Sequence, residues 1–259
     1  MIRIGSYTFT TTDARRTIAN TGALWSSQME GRSSAAAVAL GDALAARMAA
    51  AVGEHEQVGA ADLHGLGTRT ALALADSPDL TTIVTDVWDT LRAAADACRA
   101  DGQMPRTATG SVVQVSASKG GVPKRALPAA EVGYRGLVGD TQRVRIHHGR
   151  PWQALCIYAD EVIEMLQREG HPIARGSVGE NITVRGLPWE QVRPGVILRI
   201  GAVLAHVQAY ALPCAANREF FLGGDFHRMN SNRGPVSRVY ATVLTPGRVA
   251  VGDEVILEP

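Results

Sequence analysis

DGQMPRTATGSVVQVSAS, residues 101–118, is the stretch on which the fold turns. Its first half, residues 101–110, mixes glycine, proline and small polar residues, the composition of a linker. Its second half opens a β-branched run. Before it the chain carries helical periodicity; after it come short strand-like runs separated by turns.

On the N-terminal side, SSAAAVALGDALAARMAAAVG (33–53) places Leu40, Leu44, Met48 and Val52 four apart, with Ser33 or Ser34 as a cap and Gly53 as a stop. SPDLTTIVTDVWDTLRAAADACRADG (77–102) offers Ser77 as an N-cap and Pro78 at the first helical position. Leu80, Ile83, Val84, Val87, Trp88, Leu91, Ala95 and Cys98 then form one apolar stripe, which makes Cys98 a core residue. Ala14, Ile18, Trp25 and Met29 suggest a further helix. His55 and His64 fall in a loop-like stretch and read as surface residues.

On the C-terminal side, SVVQVSAS, RVRIHH, ALCIYA, NITVRG, VILRIG, AVLAHVQAY, SRVYATVL and DEVILE are about eight short runs with turn residues between them. That pattern predicts a closed or nearly closed β-barrel. One helix interrupts it, ADEVIEMLQREG, stopping at Gly170. The expected fold class is therefore α+β: a helical region over 1–105, then a mostly antiparallel barrel over 110–259 with a few short helices.

Bulk composition narrows the function. The 259 residues are 46% hydrophobic with a formal net charge of +1, which argues against a nucleic-acid partner. No apolar run approaches the roughly 20 residues that span a bilayer. The N-terminus lacks a secretory layout, so the reading is a soluble cytoplasmic protein. Cys98, Cys156 and Cys214 are too widely spaced for a disulfide framework or a structural zinc site.

Four stretches carry polar residues that a barrel does not require. In GYRGLVGDTQ, Gly136 and Gly139 bracket Asp140 in a tight turn, where an aspartate usually bonds the backbone. In RVRIHHGRPWQALCIY, His147 and His148 close a strand and Gly149 opens a turn, while Cys156 sits in an apolar, buried run. In GSVGENITVRGL, Glu180 and Asn181 precede a strand and either cap backbone groups or grip a ligand. In AYALPCAANREFFLGG, Pro213 ends a strand and Cys214 follows it. A helix beginning there would put Cys214 at its positive end, with Arg218 four residues on, and favour a thiolate.

The order of GLVGDTQ, HHGRPWQALCIY, a helix, EGH, GENITVRGL, RPGVILRIG, PC and VLTPGRVAVGD resembles the MOSC domain, named for the C-terminal domain of molybdenum cofactor sulfurases. The similarity covers about 110–259 and lies nearest the small stand-alone bacterial members, which include N-hydroxylated-base resistance proteins. It implies a β-barrel and makes Cys214 the reactive cysteine, with Asp140, His148, Gly149, Glu180 and Asn181 on matching positions. Where the family has HGG, this chain has His148-Gly149-Arg150, followed by Trp152.

Three readings follow from the resemblance. In the first, the protein is an oxidoreductase acting on N-hydroxylated compounds. Cys214 ligates the molybdenum of a molybdopterin cofactor, and Arg218, Arg143 or Arg145 clamps the pterin phosphate. His148 supplies protons, oriented by Asp140 or Glu180. The second is metal-free: Cys214 is a nucleophile or persulfide carrier in sulfur transfer or carbon–sulfur bond chemistry. The third is a non-catalytic module that binds a small ligand. A reductase or a sulfur-donor protein is the implied partner, and the alanine-rich helices suit a homodimer. Residues 1–105 contain no lysine, so no desulfurase-type pyridoxal phosphate site exists there.

Overall fold

The computed structural model describes the chain except residues 1, 5–6, 10, 30–33, 55–57, 103–105, 144–147, 149–152 and 259; at 2–4, 7–9, 12–13, 23, 26–28 and 64 it describes the backbone alone. The chain divides into two compact units, Met1–Met104 and Pro105–Pro259.

The first unit is an antiparallel hairpin, β1 (Ile2–Ile4) and β2 (Tyr7–Phe9), followed by helices α1 (Thr11–Ala19), α2 (Thr21–Met29), α3 (Ala35–Ala51), α4 (Leu63–Ala73) and α5 (Asp79–Ala100). The Ser34 hydroxyl caps α3 by accepting from the Ala37 amide, and Gly53 follows the helix end at φ 76°. All eight residues of the α5 stripe are buried, Cys98 among them. Small residues bring helices close: a Cβ on Gly41 of α3 would sit 2.3 Å from Trp25 Cζ2 of α2. Three details differ from the sequence reading. The Ala14–Met29 pattern is two helices broken at Asn20, because the Thr21 hydroxyl and the Asn20 carboxamide donate to carbonyls of the preceding turn. The stretch around His64 is α4 rather than a loop, and its glycines hid the periodicity; His55 lies outside the described residues. The cap of α5 falls on Pro78, one residue later than expected, while the Ser77 hydroxyl accepts from the Asp79 amide.

The second unit contains β3 (Ala108–Ala117), β4 (Arg125–Leu127), β5 (Ala129–Gly133), β6 (Gly136–Leu137), β7 (Leu155–Ala159), α6 (Asp160–Arg168), β8 (Ile182–Arg185), β9 (Ile197–Ile200), β10 (Val203–Tyr210), β11 (Val239–Thr245), β12 (Gly247–Ala250) and β13 (Glu254–Glu258). Seven of these strands run β13-β9-β10-β11-β7-β8-β3, and pairing of β13 with β3 closes the barrel. Every junction is antiparallel except β7–β8, whose parallel pairing requires the crossover that α6 supplies. A three-stranded sheet, β12-β5-β6, accompanies the barrel. Of the predicted strands, RVRIHH falls mostly outside the described residues.

Side-chain alternation sorts the barrel residues into two sets. Ile157, Ile182, Val184, Leu198, Ile200, Val207, Ala241, Val255 and Leu257 are 0% exposed and pair across successive strands as the apolar filling. The alternate positions carry polar groups: Tyr240 stands opposite Cys156, Thr242 opposite His206, and Tyr158 opposite Thr183. These are also buried, so segments outside the barrel cover them. Among the described residues, no helix is long and apolar enough to cross a membrane.

Candidate functional site

Strand β10 ends at Tyr210, and the chain then runs through Ala211, Leu212 and Pro213 to Cys214. The Ala211 amide donates to the Arg238 carbonyl at 2.8 Å, and the Ser237 hydroxyl donates to the Ala211 carbonyl at 3.2 Å. Pro213 has no amide to satisfy, which suits a residue leaving a ladder. Cys214 itself is half-buried and extended (φ −122°, ψ 137°), and its carbonyl accepts from the Asn217 amide at 2.9 Å. Cys98 and Cys156 are buried, so of the three thiols Cys214 alone is accessible.

The helix expected after Cys214 is a 3-10 helix of six residues, Ala215–Phe220, followed by three more short ones through Arg233. So short an element carries little of an α-helical dipole, and the argument for a thiolate from helix polarity loses its footing. Arg218 does not extend it: its guanidinium lies 5.9 Å from the Phe226 ring centre and its aliphatic stem covers Gly224. The segment is fastened at its far end instead. Arg228 forks onto Glu169 at the end of α6 with bonds of 2.6 and 2.8 Å, and the Leu222 amide donates to His171 Nδ1 at 2.9 Å.

Asp140 and Asn181 come together although 41 residues separate them. Asn181 Nδ2 donates to Asp140 Oδ2 at 2.9 Å. Asp140 also accepts from the Ser118 amide at 2.8 Å and from Lys124 Nζ at 2.5 Å. Asn181 Oδ1 accepts from the Cys156 backbone amide at 3.2 Å, and the Asn181 backbone amide donates to the Cys156 carbonyl at 2.7 Å. The network thus ties the Asp140 turn, β3 and the entrance of β8 to β7, the strand beside the Tyr240–Cys156 pair.

Glu180 is fully buried. Its Oε1 accepts from the Gly176 amide, and its Oε2 has no partner among the described residues. Burial pushes this carboxyl above the usual carboxylate range, against the pull of the Gly176 amide, Arg238 and Lys124. His148 meets Tyr240, with Nδ1 3.3 Å from the phenol oxygen. Asp140 is engaged by the Ser118 amide, Asn181 and Lys124, and Glu180 Oε1 by the Gly176 amide. Arg143 is exposed, and its backbone lies beside Gly120. Arg145 and Gly149 lie outside the described residues, as do His147 and Trp152.

Sequence reading missed three residues. Lys124 is one of only two lysines in the chain and follows a Gly-Gly-Val-Pro stretch, and that rarity was its signal. Tyr240 and Arg238 were hidden in the strand run SRVYATVL, where nothing marks a buried arginine. A separate cleft of about 390 Å3 along α6 is lined by Gln114, Asp160, Glu164, Gln167 and Arg175. Its charges are already paired, since Asp160 accepts from both Arg175 and Arg185, and these forks hold its carboxyl below the usual range despite the opposing effect of burial.

Comparison with known proteins bears on this geometry. Residues 144–256 match the family model described as the MOSC domain. The uncharacterized protein YflK of Bacillus subtilis (strain 168) is 31% identical over 137 residues, which is 51% of this chain and 60% of that protein. YiiM from Escherichia coli is 25% identical, with a TM-score of 0.44 over 60% of this chain and 71% of its own. The YUAD protein from Bacillus subtilis is 16% identical, with a TM-score of 0.45 over 59% of this chain and 96% of its own.

Proposed function

Residues 144–256 match the family model of the MOSC domain, and on that premise we propose that the chain is a cysteine-centred oxidoreductase that reduces N-hydroxylated compounds with a molybdenum cofactor held at Cys214. The observation that carries this reading is the presentation of Cys214: a half-buried thiol on a segment pinned to Ser237 and Arg238, whereas Cys98 and Cys156 are buried.

The donor set fits such a group in one respect. Among the described residues, no group of three or more His, Cys, Asp or Glu side chains is placed to hold a metal. A metal held at Cys214 would need further donors, which an organic ligand could supply, and the Cys214 thiolate would be a soft donor to it. Arg218 and Arg143 would be the cations for the pterin phosphate, and Arg145, the third candidate, lies outside the described residues. Once bound, the cofactor supplies the electrons. The protein binds and orients the substrate, and His148, in contact with the Tyr240 phenol, holds a proton at the site. Reduction of an N-hydroxyl to an amine consumes two electrons and two protons and releases water, so a separate reductase completes the cycle.

The test is the molybdenum content of protein produced with cofactor available, wild type beside Cys214→Ala, together with reduction of an N-hydroxylated base. Molybdenum retained by wild type and lost in Cys214→Ala supports the reading; equal molybdenum in both, or none in either, sinks it.

One observation favours a second reading. The first unit is five helices and a small hairpin, not the β-rich partner domain that molybdenum-binding members often carry. In the metal-free alternative Cys214 carries sulfur as a persulfide. Its signature is an intact mass heavier by one sulfur atom in wild type and absent from Cys214→Ala.

A further inference from the structure

Arg238 is 4% exposed and lies just before β11, yet it carries a full positive charge into the protein. Its Nη1 donates to the Val178 carbonyl, and its Nη2 donates to the Leu212 carbonyl at 3.3 Å. These carbonyls belong to two different segments. Val178 ends the turn at 175–178 and leads into Gly179, Glu180 and Asn181, and Leu212 stands two residues before Cys214. Gly179, between Val178 and Glu180, sits at φ 91°, and a Cβ there would come 3.3 Å from Val122 Cγ1.

The neighbouring residues brace the arginine. Tyr158 Oη donates to the Val236 carbonyl at 2.8 Å, and Trp189 Nε1 donates to the Ser237 carbonyl at 2.9 Å. The Ser237 hydroxyl and the Arg238 carbonyl take up the backbone polar groups of Ala211. Arg238 then takes the Leu212 carbonyl, and Pro213 has no amide to offer. The approach to Cys214 is thus fixed by a platform built from residues 236–238, and Arg238 is the part of it that also grips the Glu180–Asn181 turn.

A buried guanidinium is costly to desolvate, and an unbranched apolar side chain of similar length would occupy the same space without that cost. What the guanidinium adds is direction: a planar fork that reaches two carbonyls at once, which neither a methionine nor the single ammonium of a lysine reproduces. We infer that Arg238 is a positioning residue for Cys214, holding its thiol in a fixed relation to the Glu180–Asn181 turn. The inference rests on the reading that Cys214 is the working thiol.

The experiment compares full-length wild type, Arg238→Met and Arg238→Lys. Three quantities are read: the rate of Cys214 alkylation by iodoacetamide in the native protein, located by peptide mass mapping; amide exchange across the barrel; and the denaturation midpoint. Exchange in the peptide covering 209–217 is expected to rise about tenfold or more in Arg238→Met, the order set by loss of one charge-assisted hydrogen bond. Exchange in β3 and β13 should not change. Cys214 alkylation is expected to change at least threefold, with Arg238→Lys between the other two because its ammonium reaches one carbonyl. If Arg238→Met does not fold, Arg238→Lys carries the comparison. Unchanged alkylation and exchange at 209–217, or a loss of protection spread evenly over the barrel, overturns the positioning role. Cys214 that resists alkylation in wild type overturns the parent reading and this inference together, whereas normal wild-type labelling with unmoved variants overturns this inference alone.

Discussion

Lys124 Nζ lies 2.5 Å from Asp140 Oδ2, and the two side chains are only 8% and 3% exposed. The pair is one corner of a network in which Asp140 also accepts from Asn181 and from the Ser118 backbone. Through Asn181 it is tied to β7, the strand that carries Cys156.

Removing one partner of a buried pair leaves the other charge uncompensated. Lys124→Met is therefore expected to cost about 3–5 kcal/mol of stability, measured by urea denaturation. A loss below about 1 kcal/mol would mean that Asp140 is held by Ser118 and Asn181 alone.

Glu180 gives a pH signature. Its carboxyl binds a proton more tightly in the folded chain than in the unfolded one, where the value is about 4.3. Between those two values the folded state holds more protons, so stability falls as pH rises through the window and levels off above it. Glu180→Gln keeps an acceptor for the Gly176 amide and removes the ionisation. The variant should be at least as stable as wild type at neutral pH and lose that advantage below the unfolded value. Parallel stability curves for the two proteins from pH 4 to 8 would contradict the assignment.

Thiol counting separates the three cysteines. A native sample should label quickly at one site, Cys214, and at all three only after unfolding, because Cys98 and Cys156 are 0% and 5% exposed. Mass mapping after a short pulse of alkylating reagent reads this directly. Labelling of Cys156 at a rate comparable to Cys214 would show the barrel face open rather than covered.

In the first unit, Gly41→Ala tests the helix packing. Alanine normally gains about 1 kcal/mol over glycine in a helix interior, but here its methyl would come 2.3 Å from Trp25 Cζ2. Overpacking should win, with a net loss of about 1–2 kcal/mol and a change in Trp25 fluorescence. A stabilised variant would remove Trp25 from that contact.

Much of this architecture is legible in the chain. The stripe from Leu80 to Cys98 has one helical face and is buried along its length, since an uninterrupted 3.6-residue period has only one way to hide its apolar side. The strand runs after Ser111 announce a barrel in the same way, by length and by alternation. The helix around His64 was not legible, because Gly65 and Gly67 break its local propensity and only packing restores it; a Cβ on Gly67 would meet the Ile18 carbonyl at 2.4 Å. At the site, Asp140, Asn181 and Cys214 stood out as polar groups beside turns. Lys124, Tyr240 and Arg238 did not, since their importance lies in partners 16, 92 and 60 residues away.

The sequence by itself determined the two-part division, the helical and strand periodicities, and the position of Cys214 after a proline that cannot continue a ladder. Those are local properties, set by backbone propensity and side-chain period over a few residues. Only the tertiary structure decided that His148 meets Tyr240, that Asp140 pairs with Lys124, and that Arg238 reaches the carbonyls of Val178 and Leu212. Such pairings depend on which strands become neighbours and which polar groups are buried together, and desolvation makes each buried charge seek whatever partner the closed barrel brings within reach.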